Sequence, residues 1–261
     1  MIDYFYINNS IPLNICNDKL ISWKNGVFEV WDNIEDLILN QNKQRVSLFK
    51  TSHAESFSLY RRLFRKGPNF FVELESNYIF CEGNNIYSLS KDFKEKKQIF
   101  SSFRGSRPLN MNTDGKIIIF GEYFSNQNRG KVHLYKIGSN LESEIIYTFP
   151  KNTIRHIHNC IYSDTLKKWY ILTGDNDSES GIFLYDIKKK QMTMIAGGSQ
   201  RYRAVSIIED NKSLIIPTDT PNEINYIQSY DLTNKKTKKL IEVNGSCFHT
   251  FKENNLYLIS T

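Results

Sequence analysis

Three short apolar runs, Trp169-Tyr170-Ile171-Leu172, Ile182-Phe183-Leu184-Tyr185 and Met192-Thr193-Met194-Ile195, decide the fold. They are rich in aromatic and β-branched residues and too short for helices, so they read as strands. Thr173-Gly174-Asp175-Asn176-Asp177 and the tract Lys188-Lys189-Lys190 punctuate them as turns. The same cycle recurs on either side. Counterparts of the second run are Ile86-Tyr87-Ser88-Leu89, Val132-His133-Leu134-Tyr135 and Ile227-Gln228-Ser229-Tyr230. Each is preceded by an apolar run (Tyr78-Ile79-Phe80-Cys81, Ile117-Ile118-Ile119-Phe120, Leu214-Ile215-Ile216) and followed by a polar turn and another strand-like run. With one more run opening each cycle, the repeat holds four strands over roughly 45 residues, the signature of propeller blades.

The spacing predicts an all-β chain, a single β-propeller domain over 1–261, with full cycles near 57–102, 103–150, 152–197 and 199–243. Residues 244–261 hold only two strands. Leu20-Ile21-Ser22-Trp23 and Val27-Phe28-Glu29-Val30-Trp31 are expected to supply the missing strands of that last blade and close a ring of five or six.

The formal charge of +6 arises largely from lysine tracts beside turns, such as Lys94-Glu95-Lys96-Lys97 and Lys235-Lys236-Thr237-Lys238-Lys239. Solvated hairpin tips account for these better than a nucleic-acid stripe, so no nucleic-acid partner is expected. The four cysteines, Cys16, Cys81, Cys160 and Cys247, are far apart and mostly inside apolar runs, which reads as buried thiols in a reducing compartment. No leader-like N-terminus and no apolar run of about 18 residues occurs, so the expected location is the cytoplasm, without membrane insertion.

In up-and-down order, the loop entering the first strand of a blade and the loop leaving its second lie at one end of the sheet. The ends of the second runs carry Glu82, Glu122, Asp175 and Asp219. The starts of the first runs carry Arg104 and Arg107, then Arg155, His156 and His158, then Gln200, Arg201 and Arg203. One account is structural: Arg and Asp pairs staple neighbouring blades, and Asp after a strand caps a turn. The other is functional, because turn chemistry asks for Asn or Gly as readily as Asp and does not ask for Arg at the next strand. Arginine's planar fork matches a carboxylate or phosphate, and carboxylates accept from sugar hydroxyls or act as acid and base. The expected ligand is an acidic saccharide or sugar nucleotide, bound by Arg104, Arg107, Arg155, His156, His158, Gln200, Arg201 and Arg203. Glu122, Asp175 and Asp219 are the candidate catalytic carboxylates. His156-Ile157-His158 has the alternation that could present two imidazoles to a metal, with Gln200 or His249 as completions, but an HxH pair alone is a weak signal and no metal or other cofactor is expected.

The stretches Phe120-Gly121-Glu122-Tyr123-Phe124, Ile154-Arg155-His156-Ile157-His158-Asn159, Leu172-Thr173-Gly174-Asp175, Glu179-Ser180-Gly181-Ile182, Gly198-Ser199-Gln200-Arg201-Tyr202-Arg203-Ala204-Val205 and Thr218-Asp219-Thr220-Pro221 together resemble a group of bacterial sialidase-like (BNR-type) β-propeller proteins. The resemblance spans about 103–221. It implies a propeller, often accompanying polysaccharide biosynthesis, with no settled reaction. Sialidases themselves carry an Arg triad, a Tyr and Glu pair and an acid Asp, and only the Arg at three blade starts looks similar here. Intact Asp boxes are lacking, Ser163-Asp164-Thr165-Leu166-Lys167-Lys168-Trp169 reading as a plain turn. Two functions follow as expectations: a carbohydrate-active or carbohydrate-binding propeller, glycosidase-like or less readily a metal-assisted polysaccharide lyase, and a non-catalytic scaffold for protein partners in polysaccharide biosynthesis.

Overall fold

In a computed structural model, residues 11–16, 19–24, 27–33, 36, 42–47, 67–101, 104, 107–254 and 256–260 are described. They fall into two compact units, one within 1–103 with 139–142, the other comprising 104–138 and 143–261.

In the first unit, β1 (Ile11–Cys16), β2 (Lys19–Lys24), β3 (Val27–Trp31) and β4 (Gln44–Ser47) form one antiparallel sheet in chain order. A second comprises β5 (Pro68–Leu74), β6 (Asn77–Glu82), β7 (Asn85–Ser90) and β8 (Lys96–Ser101). Period-two alternation puts Trp23, Phe28, Phe71 and Phe80 into one buried cluster, with the Phe28 ring 5.6 Å from both Phe71 and Phe80. Gly67 has a φ of +103°, a conformation that favours glycine, and a side chain there would meet the Trp23 indole at 3.1 Å.

The second unit repeats the pattern three times: β9 (Met111–Thr113), β10 (Ile118–Gly121), β11 (Val132–Ile137) and β12 (Ser143–Phe149); β13 (His156–Ser163), β14 (Lys168–Gly174), β15 (Gly181–Asp186) and β16 (Gln191–Gly197); β17 (Ile208–Asp210), β18 (Ser213–Pro217), β19 (Asn225–Asp231) and β20 (Thr237–Val243). β21 (Thr250–Glu253) and β22 (Leu256–Ile259) make a two-stranded sheet. Successive four-stranded antiparallel sheets in up-and-down order are the blades of a β-propeller fold, as the repeat predicts.

Between sheets of this unit the contacts explain the recurrent residues. The tyrosines of the third strands are ties: Tyr185 donates its hydroxyl to the Ile146 carbonyl at 2.7 Å, and Tyr230 to the Ile195 carbonyl at 2.9 Å, each reaching the outer strand of the preceding sheet. On the inner side Asn112 donates to Asn159 Oδ1 and the Cys160 carbonyl, and Asn159 donates to the Val205 carbonyl at 2.7 Å. These satisfy buried backbone acceptors that the apolar core cannot.

Among the described residues, β2 and β3, the strands around Trp23 and Val30, pair with each other and are flanked by β1 and β4. Among the described residues, β21 and β22 pair only with each other. The first strand expected from about residue 57 lies outside the described residues, the sheet there beginning at Pro68. Among the described residues no helix is long and apolar enough to cross a membrane.

Candidate functional site

Asp175 is the hub of the second unit's polar cluster. It directly follows β14, whose last residue, Gly174, lies opposite His156 at the start of β13. Its φ of 122° is rare for a residue with a side chain, and such strain persists only where surrounding contacts over-determine it. Those contacts are present. Arg155 Nη1 donates to Oδ2 at 2.8 Å, while His156 Nε2, Arg203 Nη2 and His158 Nε2 stand 3.3, 3.4 and 3.6 Å from Oδ1. The Asp175 carbonyl accepts from Gln200 Nε2 at 2.9 Å and from Arg203 Nη1 at 3.1 Å.

Burial pushes the Asp175 carboxyl up, but the facing His156 and His158 imidazoles outweigh it, holding the group far below the usual carboxylate range. Asp175 is therefore an anion throughout the physiological range. That suits an anchor or base and removes it as a general acid.

Both imidazoles are buried, His156 to 5% and His158 to 2% exposure. A register shift between Ile157 and Asn159 interrupts the strict alternation of β13, yet both rings face Asp175, with centroids 5.2 Å apart. Nδ1 of His156 lies 3.3 Å from the Phe124 carbonyl, and Nδ1 of His158 lies 3.1 Å from the Ala204 carbonyl. Tyr123 packs over His156 at 4.2 Å. Space for the second ring exists because residue 174 is glycine: a Cβ there would stand 2.5 Å from His158 Cε1.

Arg203 bridges Asp175 and Asp219. Its Nε is 3.6 Å from Asp219 Oδ2, and the Asp219 backbone N–H donates to the Arg203 carbonyl at 3.0 Å. Neither carboxylate is met at hydrogen-bond separation, and the buried Nε finds no acceptor within such reach. Arg203, Gln200 and Asp175 line a cavity of about 520 Å³ together with Asn176, Asp177, Ser178 and the segment Pro221-Asn222-Glu223.

Glu122 belongs to a different cluster. Arg104 grips it bidentately, through Nε at 2.8 Å and Nη2 on the second oxygen, and the His133 N–H donates to that second oxygen at 2.6 Å. Arg104 also donates to the Lys131 carbonyl and stacks 4.7 Å over Phe124. Glu82 similarly pairs with Lys96 at 3.7 Å. Arg201 sits exposed in the 3-10 turn Gln200–Tyr202, and Arg107 is half-buried ahead of β9. Of the residues expected at one mouth, Arg155, His156, His158, Asp175, Gln200, Arg203 and Asp219 come together around Asp175 and Arg203. Glu122 with Arg104 is a separate staple.

Sequence reasoning missed three supports. Asn126 donates to the carbonyls of Gly130 and Arg155 at 3.0 Å each and so fixes the backbone of Arg155. The Arg129–Glu179 ion pair braces the 3-10 turn Asp177–Glu179 on the cavity's rim. Asn225 is buried, its Oδ1 accepting from Thr218 Oγ1, Thr220 N and Thr220 Oγ1 while Nδ2 donates to the Thr220 carbonyl, which shapes the loop carrying Asp219. An Asn opening a strand after Thr-Asp-Thr-Pro was the available signal.

Comparison with family models and with curated proteins finds no match. Solved structures are similar in fold. The tricorn protease matches with a TM-score of 0.60 at 10% identity over 90% of this chain and 27% of that one. The extracellular domain of the one-component system BT4673 from B. thetaiotaomicron matches with 0.59 at 12% identity over 93% and 30%. The chain thus spans less than a third of either. Oligogalacturonate lyase in complex with manganese gives 0.57 at 11% identity, over 94% of this chain and 67% of the lyase. At such identities the likeness establishes the architecture, and it adds the chain to the proteins built on β-propeller blades.

Proposed function

We propose that the cavity beside Asp175 binds an acidic saccharide through Arg203, with Arg155, Gln200 and Asp219 shaping the site. The observation that carries this reading is the contrast between two arginines of the same unit. Arg104 spends its fork on Glu122, whereas the Arg203 guanidinium makes one hydrogen bond, to a backbone carbonyl, and otherwise only long ion pairs at 3.4 and 3.6 Å. A guanidinium with donors to spare, on the wall of a cavity large enough for a mono- or disaccharide, is placed to take a carboxylate or phosphate. Gln200, Asn176, Ser178 and Asn222 supply the neutral donors and acceptors that sugar hydroxyls need.

Binding fits this geometry better than glycoside hydrolysis. Hydrolysis requires two carboxyl groups free to act across a glycosidic bond, whereas Glu122 is committed to Arg104 and both Asp175 and Asp219 face Arg203. The fold likeness to oligogalacturonate lyase, a protein named for an acidic saccharide, agrees with the ligand class. The test is a thermal-shift screen of uronate oligosaccharides, sialylated oligosaccharides and sugar nucleotides. A ligand that stabilises wild type but not Arg203→Ala or Asp175→Asn supports the reading; equal stabilisation of all three removes these residues from the site.

A second reading, a scaffold for protein partners, rests on a different observation. In the two-stranded sheet Phe251, Leu256 and Leu258 are all exposed, Phe251 to 54%. Changing Phe251 and Leu258 to Ser should leave saccharide binding intact; loss of binding would couple that sheet to the cavity instead.

A further inference from the structure

We infer that His156 Nε2, His158 Nε2 and Asp175 Oδ1 form a binding site for a single divalent transition-metal ion. The inference does not depend on the saccharide reading. It starts from hydrogen bookkeeping on the two rings. Each Nδ1 faces a backbone carbonyl, Phe124 for His156 and Ala204 for His158. A carbonyl only accepts, so each Nδ1 carries a hydrogen and, in the neutral ring, each Nε2 presents a lone pair. Both Nε2 atoms face the Asp175 carboxylate oxygen. Such a buried cluster needs a cation at its centre, either a second proton on an imidazole or a metal ion that displaces it.

The spacing fits that cation. The three ligand atoms lie within 4.8 Å of one another, and the Nε2 atoms are 3.3 and 3.6 Å from Oδ1. Bonds of about 2.1 Å in tetrahedral geometry put neighbouring ligand atoms about 3.4 Å apart. A second observation is the orphan: His156 Nε2 is buried and has no hydrogen-bond partner although it faces the carboxylate.

The surroundings are those that orient metal ligands. Backbone carbonyls fix both imidazoles through Nδ1, and Arg155 holds Asp175 Oδ2 at 2.8 Å, turning Oδ1 toward the rings. Two imidazoles with one carboxylate select a borderline ion such as Zn²⁺, Mn²⁺, Fe²⁺ or Co²⁺ over Ca²⁺ or Mg²⁺. Three protein ligands leave a coordination position for water or for an oxygen of a ligand, and Asp175 itself lines the cavity. Arg155 and Arg203, both near the carboxylate, weaken the site relative to one without cations, so affinity in the micromolar range is expected.

The test uses the full chain, stripped with chelator and titrated with Mn²⁺, Zn²⁺ and Co²⁺, with Ca²⁺ as the contrast. One equivalent of Mn²⁺ or Zn²⁺ should bind per chain, and His156→Gln and His158→Asn should each weaken it at least 100-fold, while exposed Arg201→Ala should not. Because buried-histidine variants can misfold, pulsed EPR of Mn²⁺ on wild type provides an independent reading: coupling to two imidazole nitrogens is expected. Binding of less than about 0.1 equivalent, absence of nitrogen coupling, or unchanged affinity in a folded His158→Asn variant overturns the assignment.

Discussion

Gly174→Ala is the substitution whose effect follows most directly from the geometry. The added methyl would stand 2.5 Å from His158 Cε1 and 3.1 Å from Arg203 Cγ, against the 3.5–4.0 Å or so of ordinary carbon contact. Relief requires the imidazole to move by roughly 1 Å, but the ring is 2% exposed and is held by the Ala204 carbonyl at 3.1 Å. Overpacking of this kind costs about 1–3 kcal/mol, and weakening the hydrogen bond adds about 0.5–1.5 kcal/mol. A total of about 1.5–4.5 kcal/mol should lower the melting temperature by roughly 3–18 °C for a unit of this size. The assay is thermal unfolding followed by circular dichroism on a double-mutant cycle with His158→Ala. The smaller side chain should remove most of the penalty of Gly174→Ala, giving a coupling energy of at least about 1 kcal/mol. A Gly174→Ala protein that melts within 1 °C of wild type, or a penalty unchanged by His158→Ala, would refute the packing on which the site rests.

Three further outcomes are expected. Glu122→Gln should destabilise the protein by about 1–3 kcal/mol by leaving Arg104 without its carboxylate, measurable by urea denaturation, with saccharide binding unchanged. Asn225→Ala should cost about 2–4 kcal/mol, because it strands buried partners in Thr218 and Thr220, and an exposed-like loss below about 0.5 kcal/mol would contradict it. Burial and the neighbouring Glu209 carboxylate raise the Tyr170 phenol; a raised folded value means stability is present below the unfolded value of about 10 and is lost as pH climbs above it. Wild type should therefore lose more stability than Tyr170→Phe between about pH 10 and 11.5, by denaturant titration.

The blades were legible because each strand is a short run with turn residues on both sides, and the recurrent Tyr185 and Tyr230 mark the same place in successive sheets. Up-and-down order gathers Arg155, Arg203, Asp175 and Asp219 at one end of their sheets, where the structure shows Arg155 and Arg203 on Asp175 and Arg203 near Asp219. What periodicity could not give was which acid is shared and which is private. Glu122 and Asp175 occupy equivalent positions, but Arg104 folds back onto Glu122 while Arg155 and Arg203 converge on Asp175 from two sheets. How 244–261 is completed lay beyond periodicity, because pairing between distant hairpins depends on which strand edges are occupied, and β1 and β4 flank the β2–β3 hairpin. The metal-ligand geometry was hidden for a related reason: the HxH spacing showed two imidazoles, but the carbonyls that fix their Nδ1 atoms come from residues 124 and 204, far away in sequence.

The central claim is that Arg203 holds the anion of a saccharide, and isothermal titration of wild type and Arg203→Lys with a uronate oligosaccharide tests it most directly. Lysine keeps a positive charge between Asp175 and Asp219 but loses the planar fork. The account predicts a melting temperature within about 3 °C of wild type and an affinity roughly 10-fold or more weaker, from the loss of charge-assisted hydrogen bonds. Equal affinity of the two proteins, or no binding of any acidic saccharide by wild type, would contradict it.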